Sequence, residues 1–328
     1  MITVLAGGVG AARFLAGLVQ VVAPSDITAV VNTGDDTDLH GLVISPDVDT
    51  IVYTLSDQID PARGWGLRDE TWRAMAALER FDSVRPPGSE AAPRWFNLGD
   101  SDLATHFYRT ARAREGATPS MVADEIRRAF GIAVRIVPMT DHRVRTLVHL
   151  VSPDPATAST VVGFQEYFVR LAHSVPVSRI EFQGAETATF AHPAALADAD
   201  AVIIAPSNPI VSIGPIRAIP GVDDALARRR ESVVAVSPIV AGAALKGPAD
   251  RMLVELGHEA SVVGVARMYA PVCSVLVIDE QDAHLADAVE REGVRCVVTD
   301  TIMSKPGVAG NLAQSVLAAV GRTRDSVA

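Results

Sequence analysis

Residues 27–50 read ITAVVNTGDDTDLHGLVISPDVDT. The run Ile27–Val31 is short, apolar and β-branched and ends at Asn-Thr-Gly, as a buried β-strand ends at a turn. Between Asn32 and Thr50 the chain then holds five aspartates, Asp35, Asp36, Asp38, Asp47 and Asp49, and neither Lys nor Arg. Carboxylates therefore leave the carboxyl end of a strand, which is the edge where open α/β sheets bind ligands. Like charges this close repel, and a bound cation or a hydrogen-bonded polar ligand would compensate them. An acidic surface loop with Asx-turns and helix caps fits the same spacing.

Upstream, strand Ile2–Leu5 runs through the turn AGGVGAARF into a helix ending near Val22. Gly7, Gly8 and Gly10 stand between strand and helix, where glycine lets backbone approach a phosphate and helix N–H groups are free. The pattern is neither the full dinucleotide fingerprint nor a P-loop. Tight packing of helix on strand explains the glycines equally well. Downstream, Ala201–Ala205, Ser232–Val236, Ser261–Ala266, Ser274–Ile278 and Arg295–Val298 read as strands. Helices at 282–292 and 310–320 alternate with them. Such alternation predicts a doubly wound, mostly parallel α/β sheet. The loop PSNPIVSIGPI, 206–216, offers Ser207, Asn208 and Ser212 at another strand's carboxyl end; it suits a phosphate or sugar, and also a rigid Pro-rich turn. One crevice could gather this loop, the Gly turn and the aspartate stretch.

Between these parts, 49–56 continues as a strand or a helix start, and 68–80 reads as a helix. Asp100 or Ser101 can cap a helix carrying Leu103, His106, Phe107 and Thr110. Arg94, Trp95 and Phe96 add a cation and flat apolar surface before it, useful for stacking a ring or simply for core packing. Thr118 caps a helix to Phe130 with Pro119 at its first position. A strand at 132–137 leads to the turn with Asp141, His142, Arg143 and Arg145. Residues 147–162 read as a strand pair or loop, and 164–173 as a helix. Lys246 sits between apolar residues and Gly-Pro, as a phosphate-binding lysine does.

The 328 residues carry a net charge of −10, which argues against nucleic-acid binding. No apolar run approaches the roughly 20 residues of a membrane span. The opening MITVLAGG has no basic segment before its apolar run, so no secretory signal is expected and the location reads as cytoplasmic. Cys273 and Cys296 lie in or beside strand-like runs, as buried thiols of a reducing compartment do.

Seven segments in this order, MITVLAGGVGAARFLAGL, NTGDD…HGLVISPDVDT, the GWG loop, WFNLGDSDLATH, MTDHRVRT, APSNPIVSIGPI and SPIVAGAALKGPADRM, resemble the 2-phospho-L-lactate transferase family of coenzyme F-420 biosynthesis. The resemblance spans residue 1 to about 320. It implies a Rossmann-like nucleotide-binding fold, one α/β domain over 1–328, with a helical or irregular insertion around 140–200 that forms the substrate site. It implies a homodimer, Mg²⁺, a guanosine diphosphate-linked lactyl or enolpyruvyl donor, and the deazaflavin FO as acceptor, with GMP released.

On this resemblance Asp47 and Asp49 are the expected catalytic residues, contacting both the metal, as its ligands, and the acceptor. Asp49 is first choice to orient or deprotonate the acceptor hydroxyl, with Asp35 and Asp36 second. Asn97, Leu98 and Asp100 would hold the deazaflavin. Gly7, Gly8, Gly10, Ser207, Asn208 and Ser212 would hold the guanosine diphosphate, with Lys246 as a charge clamp. Phosphoryl-type transfer is mostly positioning and charge neutralisation, which suits this inventory. Two other readings compete. A related gluconeogenesis-factor family of sugar-nucleotide-binding regulatory proteins shares the Gly turn and Asp pair, but usually has Thr after the glycines and lacks ISPDxDT and LGDxDLATH. A nicotinamide oxidoreductase fails on the fingerprint, because Ala-Ala-Arg follows Gly10.

Overall fold

The computed structural model describes residues 1–89, 91–152 and 160–325. Seven strands form the central sheet: β1 (Ile2–Ala6), β2 (Ile27–Val31), β3 (Arg135–Pro138), β4 (Ala201–Ile204), β5 (Val233–Val236), β6 (Val275–Ile278) and β7 (Arg295–Val298). Their spatial order is β7-β6-β5-β4-β1-β2-β3, and every pairing is parallel. Strand order reverses at β1, which pairs β2 on one side (Val4 opposite Ala29) and β4 on the other (Val4 opposite Ile203). A crevice opens at the carboxyl ends of strands at such a reversal.

Parallel strands covered by helices on both faces need apolar residues at every position. Alternate residues of β1 accordingly enter two different cores. Val4 and Ala6 pack with Phe14 and Leu15 of α1 (Gly8–Leu18), and with Leu312 and Val316 of the C-terminal helix. Leu5 packs with Ile213, Ile216, Val265 and Tyr269 on the opposite face.

Two insertions leave carboxyl ends of strands. The first follows β2 and is helical: α2 (Pro46–Leu55), α3 (Arg73–Leu78), α4 (Asp102–Arg114) and α5 (Pro119–Ala129). The second follows β3. Expected to be helical or irregular, residues 140–200 instead hold an antiparallel sheet of Val161–Gly163, Arg145–Leu150 and Val177–Gln183. The segment 164–173, read as a helix, contains a short π-helical stretch at Glu166–Arg170. The part of the 147–162 reading that falls on 153–159 lies outside the described residues.

Helix boundaries moved where a cap came from far along the chain. Thr118 caps α5 as expected, its side chain accepting from the Met121 amide. Asp100 does not cap α4. It accepts from the Arg73 and Ala74 amides, 3.0 Å each, and so starts α3 at Arg73 instead of 68. Glu70 returns the arrangement by accepting from the Ser101 and Asp102 amides at the start of α4. The reading of 49–56 resolves to helix, since α2 begins at Pro46. The run 261–266, expected as a strand, is the start of helix Val262–Tyr269; Ser261 Oγ accepts from the Gly264 amide and caps it. A short apolar run has no periodicity to tell strand from helix. Among the described residues no helix is long and apolar enough to cross a membrane.

Candidate active site

A cavity of about 780 Å³ opens at the carboxyl ends of β1 and β4, between the two insertions. The Gly turn after β1, the start of α2 and the 206–212 loop after β4 meet there. The glycines serve close approach as much as ligand contact. A Cβ at Gly10 would collide with the Pro206 carbonyl, and one at Gly7 would lie 2.7 Å from Ser212 Cβ. Ser207 Oγ donates to the Gly7 carbonyl at 2.8 Å and fastens the two loops. Asn208 Oδ1 accepts from the Ile210 amide at 2.9 Å and opens the turn that follows. Gly7, Gly8, Gly10, Ser207, Asn208 and Ser212 all line the cavity.

The five aspartates do not form one cluster: Asp36, Asp38 and Asp49 each take a different partner, and Asp35 and Asp47 share one. Asp38 pairs with Arg143 at the surface, at 2.5 Å. Asp36 accepts from Ser45 Oγ at 2.6 Å, and burial lifts its pKa to about 8. Asp35 and Asp47 are brought together by one donor, Asn32 Nδ2, at 3.1 and 3.0 Å. Burial raises both, Asp47 to about 6 and Asp35 well above the usual carboxylate range, with the Asp47 charge adding to Asp35's rise. Asp35 Oδ1 is buried and has no hydrogen-bond partner. Two carboxylates that share one donor and both line the cavity fit a hard divalent cation on oxygen ligands. Among the described residues no group of three or more His, Cys, Asp or Glu is placed to hold a metal ion by itself. The remaining coordination would come from phosphate oxygens and water, as is usual for Mg²⁺.

Asp49 stands apart from Asp47. Both of its oxygens accept from Arg109, Nη1 to Oδ2 at 3.1 Å and Nη2 to Oδ1. Arg109 Nη1 also meets His106 Nδ1 at 3.1 Å, His106 Nε2 lies 3.3 Å from Asp102 Oδ2, and Tyr53 donates to Asp102 Oδ1. This network is nearly dry: Asp49, Arg109, His106 and Asp102 are all buried. Asp49, Tyr53, Asp102 and His106 form one wall of the cavity.

Aromatic surface flanks the cavity on both insertions. Phe96, Asn97 and Trp65 line it from the helical side, with the Arg63 guanidinium 5.4 Å from the Trp65 ring. Trp95 packs edge-to-face behind Phe96, 5.9 Å between centroids. Leu98 is buried in the small core with Leu39 and Ile44, and the Asp100 carboxylate caps α3, so neither of these two lines the cavity. From the helical segment that follows strand Val161–Gly163 come Phe164 and Phe168, stacked at 5.7 Å and 17°. Lys246 lines the rim, donating to the Arg63 carbonyl at 3.3 Å; burial lowers its pKa.

Sequence reasoning did not place Phe164, Phe168, Arg109, Tyr53 or Thr301–Ser304 at the site. The spacing of Phe164 and Phe168, one turn apart, was a usable signal. The Arg109 pairing was not, since it joins positions sixty residues apart.

The family model described as 2-phospho-L-lactate transferase CofD matches residues 2–314. A phosphoenolpyruvate transferase of Kitasatospora aureofaciens is 39% identical over 327 residues, covering 98% of each chain. That of Mycobacterium tuberculosis is 39% identical, covering 96% of this chain and 97% of its own. That of Mycobacterium leprae is 40% identical, covering 93% and 94%. Protein BH3568 of Bacillus halodurans shares the fold, with a TM-score of 0.60 at 14% identity over 96% of this chain and 98% of its own. A switch-point cavity built from the Gly turn, the aspartate stretch and the Ser-Asn loop, together with these matches, leads to one assignment: the chain belongs to the 2-phospho-L-lactate transferase family and is an enzyme that transfers a substituted phosphate group.

Proposed function

We propose that the enzyme transfers a phospho-enolpyruvyl or phospho-lactyl group from its guanosine diphosphate derivative to the ribityl hydroxyl of FO, releasing GMP. The relatives at 39–40% identity, all named phosphoenolpyruvate transferases, favour the enolpyruvyl donor. The observation that carries the reading is one cavity lined by aromatic surface from both insertions and by the paired carboxylates Asp35 and Asp47. Two flat ring systems, a purine and a deazaflavin, can enter from opposite flanks and meet over Asp47.

The acceptor oxygen attacks the phosphorus that bears the three-carbon group, the bond from that phosphorus to the GMP oxygen breaks, and the hydroxyl proton is given up to the Asp49 carboxylate and from there to solvent. Mg²⁺ would be held by Asp35 and Asp47, in place of the Asp47–Asp49 pair expected from sequence, and would neutralise charge on the diphosphate. Asp49 reaches the cavity with its oxygens oriented by Arg109; it accepts a hydrogen bond from the acceptor hydroxyl and holds it in line. Asn97 and Phe96 hold the deazaflavin, and the 206–212 loop with the Gly turn holds the guanosine diphosphate. The reading carries with it a homodimer and a cytoplasmic location.

The test is product mass. Purified protein, FO and Mg²⁺ are offered each guanosine-linked donor in turn. The dehydro form of F-420-0 from the enolpyruvyl donor is expected, with turnover abolished by excess chelator. Absence of product with both donors overturns the reading.

A further inference from the structure

The buried chain of side chains behind the cavity wall has a fixed direction of hydrogen bonding. A guanidinium keeps its protons in proteins and has no acceptor. Arg109 Nη1 must therefore donate to His106 Nδ1, 3.1 Å away. That leaves the imidazole proton on Nε2, which lies 3.3 Å from Asp102 Oδ2 without forming an aligned hydrogen bond. The second oxygen of Asp102 receives the Tyr53 hydroxyl. On its other side, the same guanidinium grips both oxygens of Asp49. One cation thus orients two side chains of the wall directly, Asp49 and His106, with the Tyr53–Asp102 pair packed beside the imidazole. Arg109 itself is not among the cavity-lining residues, whereas those four are.

We propose that Arg109 is the positioning residue of this site: it orients Asp49 toward the cavity and locks His106 as the neutral Nε2–H tautomer. Its planar fork is what the role demands. A lysine ammonium would supply charge but cannot serve two carboxylate oxygens and an imidazole nitrogen in one plane. Misplacing a group at the reacting centre by about 1 Å costs on the order of 10²-fold in rate. Only the rate arm of the proposal rests on the transferase reading.

The experiment uses the full chain. ¹⁵N-labelled histidine reports the tautomer of each of the eight histidines, with His106 assigned from the spectrum of His106→Gln. Wild type is expected to show His106 protonated on Nε2 alone. Arg109→Lys, which keeps a buried cation, is expected to lose that tautomer and about 10²-fold in kcat, with KM for the guanosine-linked donor within about threefold. A wild-type His106 protonated on Nδ1, or on both nitrogens, overturns the proposal. So does an Arg109→Lys enzyme that keeps the Nε2–H tautomer, or one whose kcat stays within about threefold of wild type. If the lysine variant does not fold, the wild-type tautomer decides. The spectrum needs no substrate, so its failure is distinguishable from failure to form product.

Discussion

Replacing Asp47 by Asn should stabilise the protein when no metal is bound. In the folded chain Asp47 is half-buried, and burial moves its pKa from 3.8 to about 6. A carboxyl whose folded value lies above its unfolded value takes up a proton on folding. Its ionised form therefore weighs against the folded state. Wild type loses this part of its stability as pH rises from about 4 to about 6, and the full penalty persists above that. Each unit is worth about 1.4 kcal/mol, so a gain of roughly 1–3 kcal/mol is expected for Asp47→Asn at pH 7. Asp35 contributes in the same direction, because the Asp47 charge is among the causes that raise it. The bond from Asn32 can survive, since an Asn carbonyl oxygen accepts as a carboxylate does.

The assay is thermal unfolding in chelator at pH 4 and pH 7, repeated with Mg²⁺ at pH 7. In chelator the variant should melt a few degrees above wild type at pH 7 and level with it near pH 4. Mg²⁺ at about a hundred times its Kd should stabilise wild type by about 2.7 kcal/mol and leave the variant nearly unmoved. A variant less stable than wild type at pH 7 in chelator would refute the electrostatic account. Equal stabilisation of both proteins by Mg²⁺ would remove Asp47 from the metal.

Three further variants have expected outcomes. Asp49→Asn should lower kcat about 10²-fold with GDP affinity nearly intact; a loss below about threefold excludes Asp49 from the reaction. The same variant leaves Arg109 buried without its full counter-charge, so unfolding should show it destabilised by up to about 3–5 kcal/mol. Asn97→Ala should weaken FO binding at least about fivefold, read from deazaflavin fluorescence; an unchanged dissociation constant shows that the acceptor lies elsewhere. Gly10→Ala forces a methyl group against the Pro206 carbonyl and should cost about 1–3 kcal/mol or more; a melting temperature within a degree of wild type contradicts the close approach of the two loops.

Much of this molecule is legible without coordinates. Strands such as Ile27–Val31 and Ala201–Ile204 announce themselves because a parallel strand, covered on both faces, is apolar at every position. Their polar sequels mark the carboxyl edge, and reversal of the strand order at β1 makes one crevice of them. What local pattern could not supply was pairing between distant segments. Asp47 and Asp49 share one helix start and look equivalent in sequence. The fold sends Asp47 to Asn32 and Asp35, and Asp49 to Arg109. Asp100 looked like the cap of its own helix, yet it caps α3 from nearly thirty residues away. Ser261–Ala266 was too short for its periodicity to distinguish helix from strand, and a serine hydroxyl decided it. Composition and alternation determine which segments are strands and where polar loops gather, because burial acts on each residue through its own periodicity. Which carboxylate faces a cation, and which an arginine, depends on charges and amides that meet only when the chain is folded.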